Sequence, residues 1–498
     1  MSGYVLGIDV GTSGLKAVLL DRHGQTIDEA IAPYELRTPS PGWTEQSPED
    51  WWAGAQTALQ DLWSRGHRAA EVESVGLSGQ MHSLVLLDRA GEVCAPSILW
   101  SDQRTSAECA QILERVGAAD LLRHTGNVAL PGFTAPKLLW VKRHWPDAYR
   151  RAASMLLPKD FVRYRLTDVR ATDVSDASGT LLFDVRRRCW SEEVVRALGV
   201  NANLLPPVYE GTAPTGSISQ AAAAVTGLVA GTPVIAGGGD NAAAAVGVSA
   251  IDPGVLMLSI GTSGVLFAPL SNYPAQIDGR VHVFCHALPD RWHVMAVTLS
   301  AGGSLSWLRA VLGPLLPVTG DAAYDWMMER AADAPAGAEG LVFLPYLTGE
   351  RTPYVDPRAR GVFFGLHLGH RLEHFVRAVL EGVAFSQQQG LELLRAAGAA
   401  ADLARGAGGG LRSPVWRQIL ADALGIGVQT TTAATGAARG AAVLGGLGIG
   451  MYASAEIGIV WNEQRVDWPQ PRNENFERSR QVYEQLYPAL AGIFAAQG

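Results

Sequence analysis

Val5-Leu6-Gly7-Ile8-Asp9-Val10-Gly11-Thr12-Ser13-Gly14 is an apolar run that breaks into a short turn of glycines and hydroxyl side chains. The pattern returns half a chain later in Val255-Leu256-Met257-Leu258-Ser259-Ile260-Gly261-Thr262-Ser263-Gly264. Glycine allows a ligand to approach the backbone closely, and successive N–H groups in such a turn form a concave site for an anion. Two copies predict two halves of similar construction that share one anionic ligand.

The most informative difference between the two copies is that the first carries Asp9 where the second carries Ser259. A carboxylate beside an anion site can hold a metal ion or take part in a chemical step. The alternative is that Asp9 only stabilises its own turn. Its absence from the second copy favours the functional interpretation.

The composition describes a globular protein with large cores. A chain of 498 residues predicts two or three domains, and 48% of its residues are hydrophobic. The net charge of −8 argues against nucleic acid or an anionic membrane as the main partner. The four cysteines form no C-x-x-C pair, which suits a reducing compartment. With neither a signal peptide nor an apolar stretch of membrane-spanning length, we expect a soluble cytoplasmic protein.

The predicted elements repeat between the halves. The runs Tyr4–Ile8 and Leu15–Leu20 read as a hairpin around the first turn, and the second turn is flanked in the same way. Asp252-Pro253-Gly254 marks a turn between the halves. We therefore expect one domain over residues 1–248 and a second over residues 249–498.

Other segments predict helix boundaries and close packing. Ser47 and Ser413 each precede a proline and a helical pattern, which indicates a capped helix start. A long, largely buried helix is expected over Leu372–Leu394. The small residues of Gly436–Ala442 permit close helix packing, whereas the strand pattern over Asp402–Ala407 is weak.

Two glycine-rich segments are candidates for a functional role. In Ala236-Gly237-Gly238-Gly239-Asp240-Asn241, an acid follows a strand and a glycine opening, which is a suitable place for a general base. The alternative is that Asp240 only caps the next helix, and the residues alone leave both interpretations open. Gly408-Gly409-Gly410-Leu411-Arg412-Ser413 either holds a nucleoside or forms a simple turn.

Several common motifs are absent. The chain has no Walker A spacing, no G-x-S-x-G, no H-E-x-x-H and no G-x-G-x-x-G after the first strand. A serine hydrolase, a zinc protease and a dinucleotide oxidoreductase are therefore disfavoured.

From Gly7 to about Leu447, the ordered set of motifs resembles the FGGY carbohydrate kinases. Within that family the chain looks most similar to the bacterial enzymes that act on D-xylulose. The segments that carry the resemblance are Asp9-Val10-Gly11-Thr12-Ser13-Gly14-Leu15-Lys16, Gly79-Gln80-Met81-His82, Ile98-Leu99-Trp100-Ser101-Asp102-Gln103-Arg104, Pro131-Gly132-Phe133-Thr134-Ala135-Pro136-Lys137-Leu138-Leu139-Trp140, Leu157-Pro158-Lys159-Asp160, Gly237-Gly238-Gly239-Asp240-Asn241-Ala242-Ala243, Leu258–Gly264, Phe284-Cys285-His286-Ala287, Leu344-Pro345-Tyr346-Leu347-Thr348-Gly349-Glu350-Arg351-Thr352-Pro353, Gly361-Val362-Phe363-Phe364-Gly365-Leu366 and Val379-Leu380-Glu381-Gly382-Val383-Ala384-Phe385.

The resemblance implies an α/β fold of two actin-like, ribonuclease-H-type domains with ATP in the cleft between them. It implies that Asp240 is the catalytic base and that Asp9 acts on Mg²⁺ through water. Met81, His82, Gln80 and Asn241 would contact the sugar. The residues implied to bind the nucleotide are Thr12, Ser13, Lys16, Gly261, Thr262, Ser263, Gly302, Gly409, Gly410 and Ser413.

The resemblance implies ATP-dependent phosphorylation of D-xylulose to xylulose 5-phosphate. Gluconate is the main alternative acceptor, because gluconate kinases of the family also carry the sequence found here as Met81-His82-Ser83, whereas Gln80 and Gly239-Asp240-Asn241 favour xylulose. Another ketopentose or polyol is a further alternative within the family. A different class, an actin-like nucleotide switch without a sugar, is disfavoured by the acceptor residues. The partners implied are a sugar and ATP, with a homodimer suggested by the likeness alone.

Overall fold

Two mixed β-sheets form the centre of the protein in a computed structural model. It describes residues 3–313, 316–431, 436–459, 461 and 466–497. The strands of this part are, in chain order, β1 (Tyr4–Val10), β2 (Gly14–Leu20), β3 (Thr26–Pro33), β4 (Glu45–Gln46), β5 (Val72–Gly79), β6 (Val85–Leu87), β7 (Ser97–Ile98), β8 (Ser154–Leu156), β9 (Thr172–Asp173), β10 (Phe183–Asp184), β11 (Cys189–Trp190), β12 (Val208–Tyr209), β13 (Pro214–Ser217), β14 (Pro233–Gly239), β15 (Gly254–Ile260), β16 (Gly264–Leu270), β17 (His282–Cys285), β18 (Trp292–Thr298), β19 (Val342–Leu344), β20 (Val362–Phe364), β21 (Ala401–Ala407), β22 (Gly427–Gln429) and β23 (Val466–Asp467).

Helices cover the sheets and connect their strands. Those of the described part are α1 (Pro48–Ser64), α2 (Ser106–Val116), α3 (Ala118–Thr125), α4 (Thr134–His144), α5 (Pro146–Arg151), α6 (Pro158–Thr167), α7 (Val174–Ser178), α8 (Glu192–Leu198), α9 (Gln220–Thr226), α10 (Asp240–Gly247), α11 (Gly302–Leu312), α12 (Ala322–Asp333), α13 (Leu372–Ala396), α14 (Pro414–Leu424), α15 (Ala437–Gly448) and α16 (Glu474–Gln497). Within the described residues, no helix is long and apolar enough to cross a membrane.

The two large sheets have the same construction. The first has the order β3-β2-β1-β5-β14-β13, and the second has the order β17-β18-β16-β15-β21-β22-β23. In each, an antiparallel hairpin (β1 with β2, β15 with β16) is followed by two parallel neighbours, β5 and β14 in the first sheet and β21 and β22 in the second. The duplicated sequence pattern therefore corresponds to a duplicated arrangement of strands.

The helix α15, from the second half of the chain, packs against the first sheet through small residues. A Cβ atom added to Gly76 on β5 would lie 1.8 Å from the carbonyl oxygen of Ala441, and one added to Gly440 would lie 1.7 Å from that of Ala243 on α10. Real Cβ atoms do not approach so closely, so both positions need glycine. The close packing predicted for Gly436–Ala442 is thus present.

The helix starts differ in part from the expectation. Ser413 caps α14, because its hydroxyl accepts a hydrogen bond from the N–H of Trp416 at 3.3 Å. Ser47 stands at the cap position of α1 but makes no such bond. Asp240 is the first helical residue of α10, and the cap position belongs to Gly239. The interpretation of Asp240 as a helix cap is therefore wrong.

Candidate active site

The ends of three parallel strands place the candidate residues at one edge of the first sheet. The strand β5 lies between β1 and β14, with Ser78 opposite Asp9 and Gly79 opposite Gly239. Parallel strands end at the same edge of a sheet, and neighbouring strands are about 4.8 Å apart. The backbones that carry Asp9 and Asp240 are therefore separated by two strand spacings, roughly 10 Å.

Hydrogen bonds from two glutamine side chains, Gln46 and Gln80, hold the first glycine turn. The Thr12 hydroxyl donates to Gln80 Oε1 at 3.2 Å, and Gln80 Nε2 donates to Gln46 Oε1 at 3.0 Å. Gln46 in turn donates to the carbonyl oxygen of Thr12 at 2.7 Å. The amide group of Gln80 is thus committed to the turn, and Ser13 stands exposed at its tip.

Asp9 is a half-buried acid with an unsatisfied oxygen. Its Oδ1 atom is buried and has no hydrogen-bond partner within the described residues. Burial raises the pKa of the Asp9 carboxyl to about 6, although Ser78 and the charge of Lys16 act to lower it. Lys16 lies opposite Asp9 on β2, and its Nζ is 2.7 Å from Glu29 Oε2. An unpartnered carboxylate oxygen beside a phosphate-sized turn is a fitting place for a hard cation.

Asp240 begins α10 at the end of β14, where its carboxyl is held by its neighbour. Its Oδ1 accepts hydrogen bonds from the backbone N–H of Asn241 at 2.7 Å and from Asn241 Nδ2 at 3.0 Å. Burial and the charge of Asp9 raise the pKa of Asp240 to about 7, while the bonds from Asn241 lower it. A carboxyl that titrates near neutral pH suits a general base.

Met81 packs against the glycine that precedes this acid, and His82 follows Met81 in the chain. A Cβ atom added to Gly239 would be 2.8 Å from the sulfur atom of Met81, and one added to Gly179 would be 2.3 Å from His82 Nδ1. The Nδ1 atom of His82 lies 2.7 Å from the carbonyl oxygen of Gly179, so this nitrogen carries the hydrogen and Nε2 is left as an acceptor. Burial lowers the pKa of His82 to about 3, which keeps the ring neutral.

The backbone of His82 is in the left-handed region, with φ at 68°. This conformation is uncommon for a residue with a side chain and has to be stabilised by its surroundings. The carbonyl oxygen of His82 accepts hydrogen bonds from the Thr134 hydroxyl at 3.0 Å and from Lys137 Nζ at 3.3 Å. Lys137 is fully buried, and burial lowers its pKa to about 7.

The second glycine turn is built into the start of α11. The N–H groups of Gly302 and Gly303 donate to the carbonyl oxygens of Gly261 and Thr262 at 2.8 and 3.0 Å. A Cβ atom added to Gly302 would lie 2.5 Å from the carbonyl oxygen of Gly261. The structure therefore brings together Gly302 and the turn that contains Thr262 and Ser263.

The segment Gly408–Ser413 follows β21, the parallel neighbour of β15, and so lies beside the second turn. Gly409 has open space around its Cα, whereas a Cβ atom on Gly410 would lie 2.4 Å from Ile260 and 2.9 Å from Trp416. Gly410 is therefore packed against the core, and Gly409 is the more accessible of the two glycines.

Two residues at the site received no role from the sequence. Trp100 Nε1 donates to the Thr12 hydroxyl at 3.0 Å. Arg351, from the second half, reaches the first half, where its Nη2 lies 3.9 Å from the position of a Cβ atom on Gly132. Within the described residues its guanidinium forms no hydrogen bond or ion pair, and its charge acts on His82 and Lys137. Both residues stand in segments that resemble the family, which was the available signal.

Comparison with known proteins gives matches along nearly the whole chain. The model of the N-terminal domain of the FGGY family of carbohydrate kinases matches residues 4–247, and that of the C-terminal domain matches residues 256–449. A xylulose kinase of Escherichia coli K12 is 41% identical over 496 residues, which cover 98% of this chain and 100% of the relative.

Solved structures agree with this likeness. A xylulose kinase from Brucella ovis has a TM-score of 0.91 at 37% identity, covering 98% of this chain and 100% of that one. A gluconate kinase from Lactobacillus acidophilus also has a TM-score of 0.91, at 26% identity, covering 100% of both chains. The predicted fold class, two α/β domains of the actin-like type, is confirmed.

Proposed function

Because this chain belongs to the FGGY family of carbohydrate kinases, we propose that it transfers the γ-phosphate of ATP to the terminal hydroxyl of D-xylulose. The observation that carries the proposal is the position of Asp240, whose pKa burial raises to about 7. It follows Gly239, against which Met81 packs, and lies at the same sheet edge as the first glycine turn. The relatives named xylulose kinase support the choice of sugar.

In this proposal Asp240 takes the proton from the acceptor hydroxyl as the phosphoryl group arrives. Asn241 orients the Asp240 carboxyl, and His82 accepts a hydrogen bond from the sugar through Nε2. Met81 forms an apolar side of the sugar site. Gln80 contributes indirectly, because its side chain holds the first turn through Thr12. Phosphoryl transfer has a loose transition state, so alignment of the two substrates accounts for most of the catalysis.

We assign the phosphates of ATP to the two glycine turns and the adenosine to the segment after β21. The turns offer backbone N–H groups and hydroxyls, which are the donors that phosphate oxygens need. The residues of this nucleotide site are Thr12, Ser13, Lys16, Gly261, Thr262, Ser263, Gly302, Gly409, Gly410 and Ser413.

The donor set of the first turn fits Mg²⁺. Asp9 carries a buried oxygen without a partner, and carboxylate oxygens and water are the ligands that Mg²⁺ prefers. Asp9 would hold the ion through water, and the ion would neutralise charge on the phosphates. Lys16 lies opposite Asp9 and adds positive charge to this side of the cleft.

Gluconate is the second candidate acceptor. The guanidinium of Arg351, which has no partner within the described residues, lies near His82 and Lys137, and a carboxylate would suit its positive charge. The gluconate kinase of similar fold supports the same alternative.

The test is ATP consumption with Mg²⁺ in the presence of D-xylulose, D-ribulose, L-ribulose, glycerol or gluconate. We expect D-xylulose to give the highest kcat/KM. A higher kcat/KM with gluconate would show that gluconate, and not D-xylulose, is the acceptor. Turnover that no sugar stimulates would reject the kinase itself and favour a nucleotide switch.

Three further expectations concern the domain boundary, the cellular location and the oligomeric state. We propose that the two domains divide near residue 248, which the separate sheets of β1–β14 and β15–β23 support. We also propose a cytoplasmic location, supported by four cysteines without a disulfide. A homodimer is the third expectation, and sedimentation velocity would test it.

A further inference from the structure

The strand β14 is irregular just before Asp240. It pairs with β5 at Val234 and Ile235 and again at Gly238 and Gly239, with a break in register between the two pairs. At this break Gly237 has φ at 74°, and a Cβ atom there would lie 1.7 Å from the carbonyl oxygen of Leu77. A bulge of this kind redirects the residues that follow it and removes regular ladder hydrogen bonds. The geometry of Asp240 therefore needs support from outside the sheet.

Two buried side chains supply hydrogen bonds on either side of Gly237. Arg163 on α6 donates through Nη2 to the carbonyl oxygen of Ala236 at 2.5 Å. The Ser175 hydroxyl on α7 accepts from the N–H of Gly239 at 3.0 Å. Gly239 is the residue immediately before Asp240, so the Ser175 contact fixes the peptide from which the acid projects.

Both side chains belong to a charged cluster with no exposed surface. Ser175 Oγ donates to Asp173 Oδ1 at 2.5 Å, and Asp173 Oδ2 lies 2.7 Å from Lys159 Nζ. Lys159 Nζ lies 2.6 Å from Asp160 Oδ1, which is also 2.7 Å from Arg163 Nη1. The side chains of these four charged residues are 0% exposed. The cluster thus connects the two supports of β14 to each other.

A fifth group completes the cluster. Asp176 Oδ2 lies 3.1 Å from Lys159 Nζ, and burial raises the pKa of Asp176 well above its ordinary value. The cluster thus holds two cations, Lys159 and Arg163, and three carboxyl groups, Asp160, Asp173 and Asp176. Removing charges from water offsets much of their mutual attraction, so a buried ionic cluster is a poor source of net stability. The hydrogen bonds from Arg163 and Ser175 to β14 therefore suggest that the cluster serves to hold this strand in position.

We propose that Ser175 and Arg163 are positioning residues, which hold the end of β14 so that the Asp240 carboxyl meets the acceptor hydroxyl. The inference rests on the proposed function, because it assigns Asp240 to the phosphoryl transfer. Ser175 touches no substrate in this scheme and acts only through Gly239. Its loss should therefore change the turnover number without changing the nucleotide site.

The test is the pair Ser175→Ala and Ser175→Cys in the full chain, assayed with ATP, Mg²⁺ and the sugar that the wild-type protein prefers. Small misplacements of reacting groups cost on the order of 10²-fold in rate, so we expect kcat of Ser175→Ala to fall at least about 10-fold. The KM for ATP and the slow hydrolysis of ATP without sugar should stay within about 2-fold, because Ser175 acts through Gly239 and is not part of the nucleotide site. Ser175→Cys keeps a weak donor and acceptor at the same place and should recover part of kcat.

Thr226→Ala is the matched control. Thr226 is buried in the same half, donates to the carbonyl oxygen of Ala222 at 2.7 Å and accepts from the N–H of Leu228 at 3.3 Å. The variant Thr226→Ala thus loses two side-chain hydrogen bonds, as Ser175→Ala does, but it should keep the wild-type kcat.

Equal kcat for Ser175→Ala and the wild-type protein would overturn the proposal, and so would a parallel fall of kcat in Thr226→Ala. If Ser175→Ala does not fold, kcat of Ser175→Cys decides by the same criteria. A wild-type protein that no sugar stimulates would instead reject the proposed function, which separates the two failures.

Discussion

In the proposed reaction, the chemistry depends on the ionisation of a single residue, Asp240. Its replacement by asparagine keeps the shape and the bonds from Asn241 but removes the proton acceptor. General base catalysis contributes roughly 10²–10⁴ in rate, so we expect Asp240→Asn to lower kcat at least about 10²-fold. Steady-state kinetics would measure this loss, and calorimetric titration should find ATP binding unchanged.

The control for this variant is Asp147→Asn, which makes the same chemical change at an exposed position on α5. It should behave as the wild-type protein. Near-normal turnover of Asp240→Asn would remove Asp240 from the role of base.

The pH dependence of the reaction follows from the same carboxyl. The pKa of Asp240 is raised to about 7, and the base must be deprotonated to act. We therefore expect kcat/KM for the sugar to fall as the pH drops below about 7 and to level off above it. Asn241→Leu removes one of the hydrogen bonds that lower this pKa, so its acid limb should move to higher pH. An unchanged limb in Asn241→Leu would contradict this assignment.

At the scale of secondary structure, the contact between α10 and α15 depends on glycine. A Cβ atom on Gly440 would lie 1.7 Å from the carbonyl oxygen of Ala243, so Gly440→Ala must separate the two helices. Overpacking costs about 1–3 kcal/mol, occasionally more, and we expect a clear fall in the thermal midpoint. Gly492 lies exposed in α16 with open space around it, so Gly492→Ala should be neutral or stabilise by up to about 1 kcal/mol. Equal midpoints for both variants would contradict the close packing.

The elements that sequence predicts are those whose pattern is local. The hairpin β1–β2 and the helix α13 follow from apolar runs and helical spacing. The strand β21 has only a weak pattern, Ala-Asp-Leu-Ala-Arg-Gly-Ala, yet it lies inside the second sheet. Its parallel neighbours β15 and β22 decide its conformation, and β15 is far away in the sequence. Tertiary packing overrides a weak local preference in such a case.

The same distinction applies to the candidate site. Asp9, Asp240 and the two turns could be proposed from strand endings and glycine spacing, because these features are contiguous. The contact of Gly410 with Ile260 and Trp416, and the support of His82 by Lys137, join segments that are remote in the sequence. Spacing carries no information about such contacts, so these roles emerge only from the folded chain.

Across the molecule, the surroundings of His82 are built from both halves of the chain. Phe284 of the second half stands 6.0 Å, between ring centroids, from His82 of the first. Asn127 Nδ2 donates to the carbonyl oxygen of Val283 at 2.9 Å, and the Ser178 hydroxyl accepts from the N–H of Cys285 at 3.0 Å. A sugar bound beside His82 would therefore also contact the half of the chain that contains the second turn. Contact with both halves favours closure of the cleft over both substrates.

Arg351 gives this idea a test. Its guanidinium comes from the second half, is unpaired within the described residues and lies near His82, so we expect it to bind an oxygen of the sugar. A hydrogen bond to a charged group is worth roughly 1.5–3 kcal/mol, so Arg351→Ala should raise the KM for the sugar about 10-fold or more. Arg358→Ala removes an exposed guanidinium from the same loop and should leave this KM unchanged. Steady-state kinetics with the sugar varied at saturating ATP would measure both. If Arg351→Ala and the wild-type protein have equal KM values for the sugar, Arg351 does not bind the acceptor. Closure of the cleft would then depend on other contacts from the second half.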